Sequence, residues 1–129
     1  MAKKVILDSS FLIDVLRFHI DIFKELERCL LEEFEVIILA PTLKELALIR
    51  DSQNPKISKA ASLALAVAST LPVEEVSTKP GEKVDDLILR VAADRGWAVA
   101  TNDRALKKKL IDNNIPVIFV RQRSRLDIR

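Results

Sequence analysis

The stretch Lys-Val-Ile-Leu-Asp, residues 4–8, decides the fold class. Lys4–Leu7 is a β-rich run that stops abruptly at the acid Asp8, and each of the later β-rich runs also stops at a proline or a polar residue. Three such runs follow: Val36–Ala40, Ala98–Ala100 and Val117–Val120. Runs that are apolar on both faces are typical of parallel strands covered by helices. With a weaker candidate at 72–76, they predict a central parallel sheet of four or five strands.

Helical patterns separate these runs. Gly96 follows the fifth pattern as a C-terminal stop, and the chain has only two glycines and five prolines, too few for the many tight turns of an all-β sandwich. The alternation βααβααβαβαβ predicts a three-layer αβα domain. The predicted helices are Ser10–Arg17, Asp21–Glu33, Pro41–Asp51, Ser58–Thr70, Glu82–Arg95 and Asp103–Asn113.

Length and composition exclude several classes of protein. A chain of 129 residues is one domain, and 49% hydrophobic with 31% charged residues excludes a disordered chain. The apolar runs are too short to span a membrane. A single cysteine, Cys29, excludes an internal disulfide and a zinc finger. The N-terminal segment has an acid already at position 8, which is not typical of a secretory signal. We therefore expect a cytoplasmic location.

Positive charge is concentrated at the C-terminus. Residues 101–129 carry eight basic and three acidic side chains, whereas the rest of the chain is mildly acidic. We therefore expect a domain over 1–121, a basic tail over 122–129 and a polyanionic partner, with a solvated basic surface as the ordinary alternative. The residues expected to bind RNA are Arg104, Lys107, Lys108, Arg121, Arg123 and Arg125.

Acidic residues follow the predicted strands. Asp8 comes directly after the first strand, Glu45 one helical turn after the second, and Asp103 shortly after Ala100. Taken singly, each has an ordinary explanation, as a helix cap or a solvated helix residue. Ligands bind at the carboxyl ends of parallel strands, however, so these acids are expected at one edge. A further acid comes from the pair Asp85-Asp86 at the start of the fifth helix.

Carboxylates gathered at one edge repel one another unless a cation neutralises them. Oxygen-only ligands favour Mg²⁺ or Mn²⁺, and a chain with one histidine and one cysteine is poorly suited to zinc. Acid clusters that hold such ions serve phosphodiester hydrolysis, in which no protein nucleophile is needed.

Four segments in this order resemble the PIN-domain ribonucleases. They are Val-Ile-Leu-Asp-Ser-Ser-Phe-Leu-Ile (5–13), Ala-Pro-Thr-Leu-Lys-Glu-Leu (40–46), Val-Asp-Asp-Leu-Ile-Leu-Arg-Val-Ala (84–92) and Val-Ala-Thr-Asn-Asp (99–103). The resemblance covers most of the chain. Within the family, the C-terminal part looks like the small archaeal proteins similar to small-subunit rRNA-processing PIN proteins, and toxins of toxin–antitoxin pairs share the fold.

The resemblance implies the site residues and partners. Metal-binding catalytic acids would be Asp8, Glu45, Asp85 and Asp103, with Ser10 and Thr101 as supporting hydroxyls. The spacing between this helix acid and Thr101 favours Asp85 over Asp86. Asp86 stays a second candidate metal ligand. The implied activity is a Mg²⁺- or Mn²⁺-dependent endoribonuclease acting on single-stranded RNA or structured rRNA, in rRNA processing or as a toxin. The expected protein partners are an antitoxin or ribosome-processing protein and a second copy of the chain.

Two other functions compete with this interpretation. A non-catalytic PIN-like RNA-binding subunit of a ribosome-processing complex would not need all the acids. A phospho-acceptor receiver domain shares the size and class, but it needs an acid pair after the first strand, where Asp8-Ser9-Ser10 stands here.

Overall fold

A computed structural model describes residues 3–129 as six strands and six helices. The strands are β1 (Lys3–Leu7), β2 (Phe34–Leu39), β3 (Val73–Glu74), β4 (Ala98–Ala100), β5 (Val117–Arg121) and β6 (Arg125–Ile128). The helices are α1 (Ser9–Arg17), α2 (Ile22–Leu30), α3 (Ala40–Arg50), α4 (Pro55–Ala68), α5 (Val84–Arg95) and α6 (Arg104–Asp112). Up to β5, this order is the one predicted from the sequence.

The strands form one sheet in the order β3-β2-β1-β4-β5-β6. The first five strands run parallel, and β6 pairs antiparallel with β5. The predicted α/β fold with a central parallel sheet is confirmed. The sequence did not predict β6, and the segment 122–129, expected as a basic tail, contributes this strand to the edge of the sheet.

Alternate residues of β1 face opposite sides of the sheet, which creates two cores. Val5 and Leu7 pack with side chains of α1–α4, while Ile6 packs with Leu87 of α5 and Leu106 of α6. All five of these side chains are buried. Helices therefore cover both faces, which gives the three layers that the apolar strands predicted.

Small residues of α4 allow close helix packing. Ala60, Ala61, Ala64 and Ala68 are buried within the first of these cores. The alanine pattern of this helix therefore belongs to the core of the single chain.

Helix ends follow local rules. Gly96 ends α5 with φ +69°, a left-handed conformation that glycine adopts without strain. Asn54 accepts from Lys56 N and Ile57 N at the start of α4, where Pro55 occupies the first turn. Within residues 3–129, the structure has no helix that is both long and apolar enough for a membrane span.

Candidate active site and basic groove

The carboxyl ends of β1 and β4 meet at the point where the chain changes direction across the sheet. From β1 the chain adds β2 and β3 on one side, and then returns to place β4 on the other side of β1. Such a switch point leaves a crevice beyond the strand ends, which is where open α/β sheets bind ligands. Asp8 follows β1 and Thr101 follows β4, so both lie at this crevice.

The Asp8 carboxylate is buried, with 2% of the residue exposed. Its Oδ2 accepts hydrogen bonds from Ser10 Oγ and Thr101 Oγ1, both at 2.7 Å. Its Oδ1 is buried without a hydrogen-bond partner in the described structure. Burial raises the pKa of Asp8, the two hydroxyls and the backbone amide of Ser9 oppose that rise, and the charge of Asp103 adds to it. Two hydroxyls thus fix the carboxylate while one of its oxygens is unsatisfied.

Asp8 lies at the N-cap position of α1, but its side chain makes no capping hydrogen bond. The ordinary explanation for an acid at this position, capping of the following helix, therefore does not account for Asp8. Asp103 does cap α6, because its Oδ1 accepts from Leu106 N at 2.9 Å. The cap does not use Asp103 Oδ2.

Glu45 reaches the same crevice from α3. Its Oε1 accepts a hydrogen bond from Ser9 Oγ at the start of α1. Burial raises the pKa of Glu45, and the charges of Asp8 and Asp103 raise it further. Glu45 is therefore not a solvated helix residue but a partly buried acid that faces other acids.

Asp85 and Asp86 differ in their surroundings. Burial, followed by the charges of Asp8, Asp103, Glu45 and Asp86, raises the pKa of Asp85 to about 6. The exposed Asp86 instead pairs with Lys109, with 3.4 Å between Oδ1 and Nζ. Neighbours on a helix point about 100° apart, so one of the two faces the crevice and the other faces α6.

These four carboxylates, Asp8, Glu45, Asp85 and Asp103, are called the acid cluster below. Within residues 3–129, no three histidine, cysteine, aspartate or glutamate side chains lie in an arrangement that would hold a metal ion as they stand. Burial and the charges of Asp8 and Asp103 raise the pKa values of Glu45 and Asp85, so without a cation the carboxylates repel one another. The donors nevertheless fit a hard divalent cation in type, and the unsatisfied Asp8 Oδ1 is a buried oxygen that lacks a positive partner.

Two polar residues near the acid cluster were not predicted from the sequence. Ser9 holds Glu45, as described above. Asn102 donates from Nδ2 to Asp14 Oδ2 at 2.9 Å and accepts from Val120 N, also at 2.9 Å. Asn102 thereby ties the segment after β4 to α1 and β5. Its only sequence signal was its place between Thr101 and Asp103.

Asp14 and Asn102 are among the residues that line a groove with a volume of about 440 Å³. Four cationic side chains line it, and Phe119 forms part of its wall. Lys107 Nζ lies 3.3 Å from the centre of the Phe119 ring. Burial lowers the pKa of Lys107, and the charges of Arg129 and Arg121 lower it further. We call this the basic groove; its cations are Arg104, Lys107, Arg121 and Arg129.

The predicted RNA-binding residues fall into two groups. Arg104, Lys107 and Arg121 line the basic groove, and Lys108 lines a smaller cavity next to it along α6. Arg123 and Arg125 lie at the β5–β6 turn and the start of β6, outside the groove lining. The list predicted from the sequence missed Arg129, which lines the groove and whose backbone pairs with Val117.

Comparison with known proteins decides the family. A family model described as a PIN-like domain matches residues 5–123. The chain belongs to the PIN-like domain family. It is 36% identical over 126 residues to a protein of Methanocaldococcus jannaschii named Ribonuclease VapC4, covering 97% of this chain and 95% of the relative.

Solved structures agree with this assignment. The PIN domain endonuclease Utp24 superimposes with a TM-score of 0.78 at 26% identity, covering 98% of this chain and 90% of that one. A domain of a functionally unknown protein from Methanocaldococcus jannaschii has the same fold, with a TM-score of 0.65, 21% identity and coverage of 93% and 92%. The resemblance inferred from the four sequence segments is confirmed, and the receiver-domain alternative is wrong.

Proposed function

We propose that this PIN-like protein is an endoribonuclease that needs Mg²⁺ or Mn²⁺ and uses the acid cluster as its catalytic centre. Asp8 carries the proposal, because Ser10 and Thr101 hold its Oδ2 while its buried Oδ1 has no hydrogen-bond partner in the described structure and lies beside three other carboxylates. A relative named as a ribonuclease that matches 97% of the chain supports the reaction class.

Asp8, Glu45, Asp85 and Asp103 would hold the ion. The chemistry supplied by Mg²⁺ or Mn²⁺ at these residues would be activation of a water nucleophile and stabilisation of the charge on the leaving oxygen of a phosphodiester. Asp86 contributes indirectly, since its pairing with Lys109 leaves Asp85 as the acid of this helix turn that faces the cluster.

The protein residues themselves orient and attract the substrate. Ser10 and Thr101 fix the Asp8 carboxylate, and Ser9 fixes Glu45. The acid cluster repels a polyanion, so affinity for RNA must come from cations outside it. Asn102, which directly precedes Asp103, lines the basic groove, and the groove supplies four such cations.

The test is cleavage of a 5′-labelled single-stranded RNA with Mn²⁺, with Mg²⁺ and with EDTA. We expect cleavage with either ion, none with EDTA, and a loss of at least about 100-fold in Asp103→Asn. Asparagine keeps the α6 cap, so this variant separates the acid's charge from its structural role. RNA that is bound but never cut would contradict the proposal and favour the non-catalytic RNA-binding subunit.

Two biological settings use this reaction, and the resemblance implied both. In a toxin–antitoxin pair, a small antitoxin encoded by the adjacent gene would inhibit cleavage when it is co-purified. In rRNA processing, cleavage would be confined to a defined site of a precursor rRNA. Sequencing the 5′ ends of RNA cut in cell extract distinguishes the two outcomes.

A further inference from the structure

A second groove lies at the opposite end of the sheet from the acid cluster. It has a volume of about 880 Å³ and lies between α2, the start of β2 and the segment before β3. Its floor is apolar, and four glutamates surround it. The apolar residues include Phe23, Leu31, Phe34 and Leu71, and the glutamates are Glu27, Glu32, Glu33 and Glu35. We call it the acid-rimmed groove.

Leu31 is the least expected residue of this groove. It is 88% exposed and has φ +56° as the residue that ends α2. Helices commonly end in this left-handed conformation, but with glycine or asparagine, because a Cβ is strained there. A leucine at this point is unfavourable for the free chain both in its backbone and in its exposure. Coverage of its side chain by another molecule would offset the second cost.

Exposed apolar area extends beyond Leu31. Phe23 is 47% exposed on the neighbouring face of α2, and Val73 at the adjoining sheet edge is 41% exposed. Phe23, Leu71 and Pro72 line the groove with Leu31, and Val73 directly follows Pro72, so exposed apolar area is gathered at this place within a polar rim. Such surfaces on soluble proteins mark interaction sites.

The charge of the rim selects the occupant. None of the ten residues that line the groove is basic. Lys3 approaches Glu32 to 3.8 Å, and both side chains of this pair are partly exposed. Four carboxylates around an apolar floor exclude RNA and other polyanions, and they favour a ligand that combines apolar anchors with positive charge.

We propose that the acid-rimmed groove binds a segment of another protein in which apolar side chains are flanked by lysines or arginines. The apolar anchors contact Leu31, Phe23 and Leu71, and the flanking cations pair with the glutamate rim. This groove lies at the amino ends of β2 and β3, and the acid cluster lies at the carboxyl ends. The partner therefore occupies a surface separate from the one proposed for RNA.

The experiment is selection of this protein against a random library of displayed 12-residue peptides, followed by affinity measurements with the enriched synthetic peptides. We expect sequences with two or more apolar residues flanked by Lys or Arg. Binding should weaken at least tenfold in Leu31→Gly and in the double variant Glu27→Lys/Glu33→Lys. The matched control is Leu48→Ala, which removes a leucine that is 75% exposed on α3, and its affinity should equal that of the wild type.

Leu31→Gly also tests whether the leucine serves the chain's own fold. Glycine relieves the left-handed backbone, so the unfolding temperature should be unchanged or higher. A lower unfolding temperature would overturn the proposal, because Leu31 would then stabilise the free chain.

Three further results would overturn it. One is the absence of an enriched sequence class, or enrichment of acidic peptides. Another is equal peptide affinity in the wild type and in both groove variants. The third is self-association by light scattering that Leu31→Gly abolishes, since a second copy of the chain would then be the occupant.

Discussion

Replacing Asp8 by asparagine should stabilise the metal-free protein while it abolishes catalysis. The carboxylate is 2% exposed, has one unsatisfied oxygen and lies near three other acids. A buried charged group without its partner costs about 1–3 kcal/mol or more. Asparagine retains an acceptor for Ser10 and Thr101, and its amide can donate to a neighbouring carboxylate.

We therefore expect a gain of about 1–2 kcal/mol in the free energy of unfolding in EDTA. For a domain of this size that is a rise of about 4–8 °C in Tm. In Mn²⁺, the wild type should instead be more stable than Asp8→Asn. An ion at 100 times its Kd stabilises the wild type by about 2.7 kcal/mol, and Asp8→Asn, which lacks a ligand, should gain much less.

The assay is thermal unfolding of both proteins in EDTA and in Mn²⁺, alongside RNA cleavage. Asp94→Asn is the control, because Asp94 is an exposed acid near the end of α5 and outside the acid cluster. A lower Tm for Asp8→Asn in EDTA would refute the electrostatic reasoning. Equal Mn²⁺ stabilisation of the two proteins would refute the assignment of Asp8 as a ligand.

Three other predictions follow from single groups. The folded pKa of Asp85, about 6, lies above the usual 3.8, so the native state binds more protons and the stability of the metal-free protein should rise by on the order of 1 kcal/mol as pH falls from about 7 to about 4. Denaturant melts at several pH values measure this slope, and a slope that is undiminished in Asp85→Asn would contradict it. Lys107→Gln should weaken RNA binding and lower the slope of log affinity against log salt by about 1. The control Lys59→Gln, on the exposed face of α4, should leave both quantities unchanged. If filter binding gives the same slope for the wild type and Lys107→Gln, Lys107 does not contact the RNA. Gly96→Ala should lower the free energy of unfolding by about 1 kcal/mol, because alanine is strained at the φ of +69° found there. No atom lies within 4 Å of the added Cβ, so the backbone conformation is the source of this loss. An unchanged Tm would show that alanine is not strained at this position.

The order of elements was predictable because four strands and six helices carry strong local patterns, and a weaker pattern marked β3. Apolar runs that end at Asp8 or Thr101 predicted buried parallel strands, and parallel topology alone brings those strand ends to one edge. The acids at that edge could therefore be identified before any contact was known.

Strand β6 was not predictable because its sequence carries no strong local pattern. Of its four residues only Leu126 is buried, and the turn before it uses Gln122 and Arg123 with positive φ rather than glycine or asparagine. Contacts distant in sequence hold the strand. Glu25 accepts from Leu126 N at 2.9 Å, and Arg28 and Cys29 donate to Leu126 O.

Side-chain roles within the site were only partly predictable. The rotation of α5 decides which of Asp85 and Asp86 faces the other acids, and a pair of adjacent acids gives no sign of that rotation. Ser9 and Asn102 are recognised only through their partners Glu45 and Asp14. Short-range patterns predict elements, whereas hydrogen bonds across the fold decide what each polar group does.

The most direct test is an anomalous difference map from crystals of the wild type soaked in Mn²⁺. We predict a peak between Asp8, Glu45, Asp85 and Asp103, with these side chains drawn together from their metal-free positions and with no such peak in Asp8→Asn. The absence of a wild-type peak there, or a peak only elsewhere on the protein, would contradict the claim that these carboxylates share a cation.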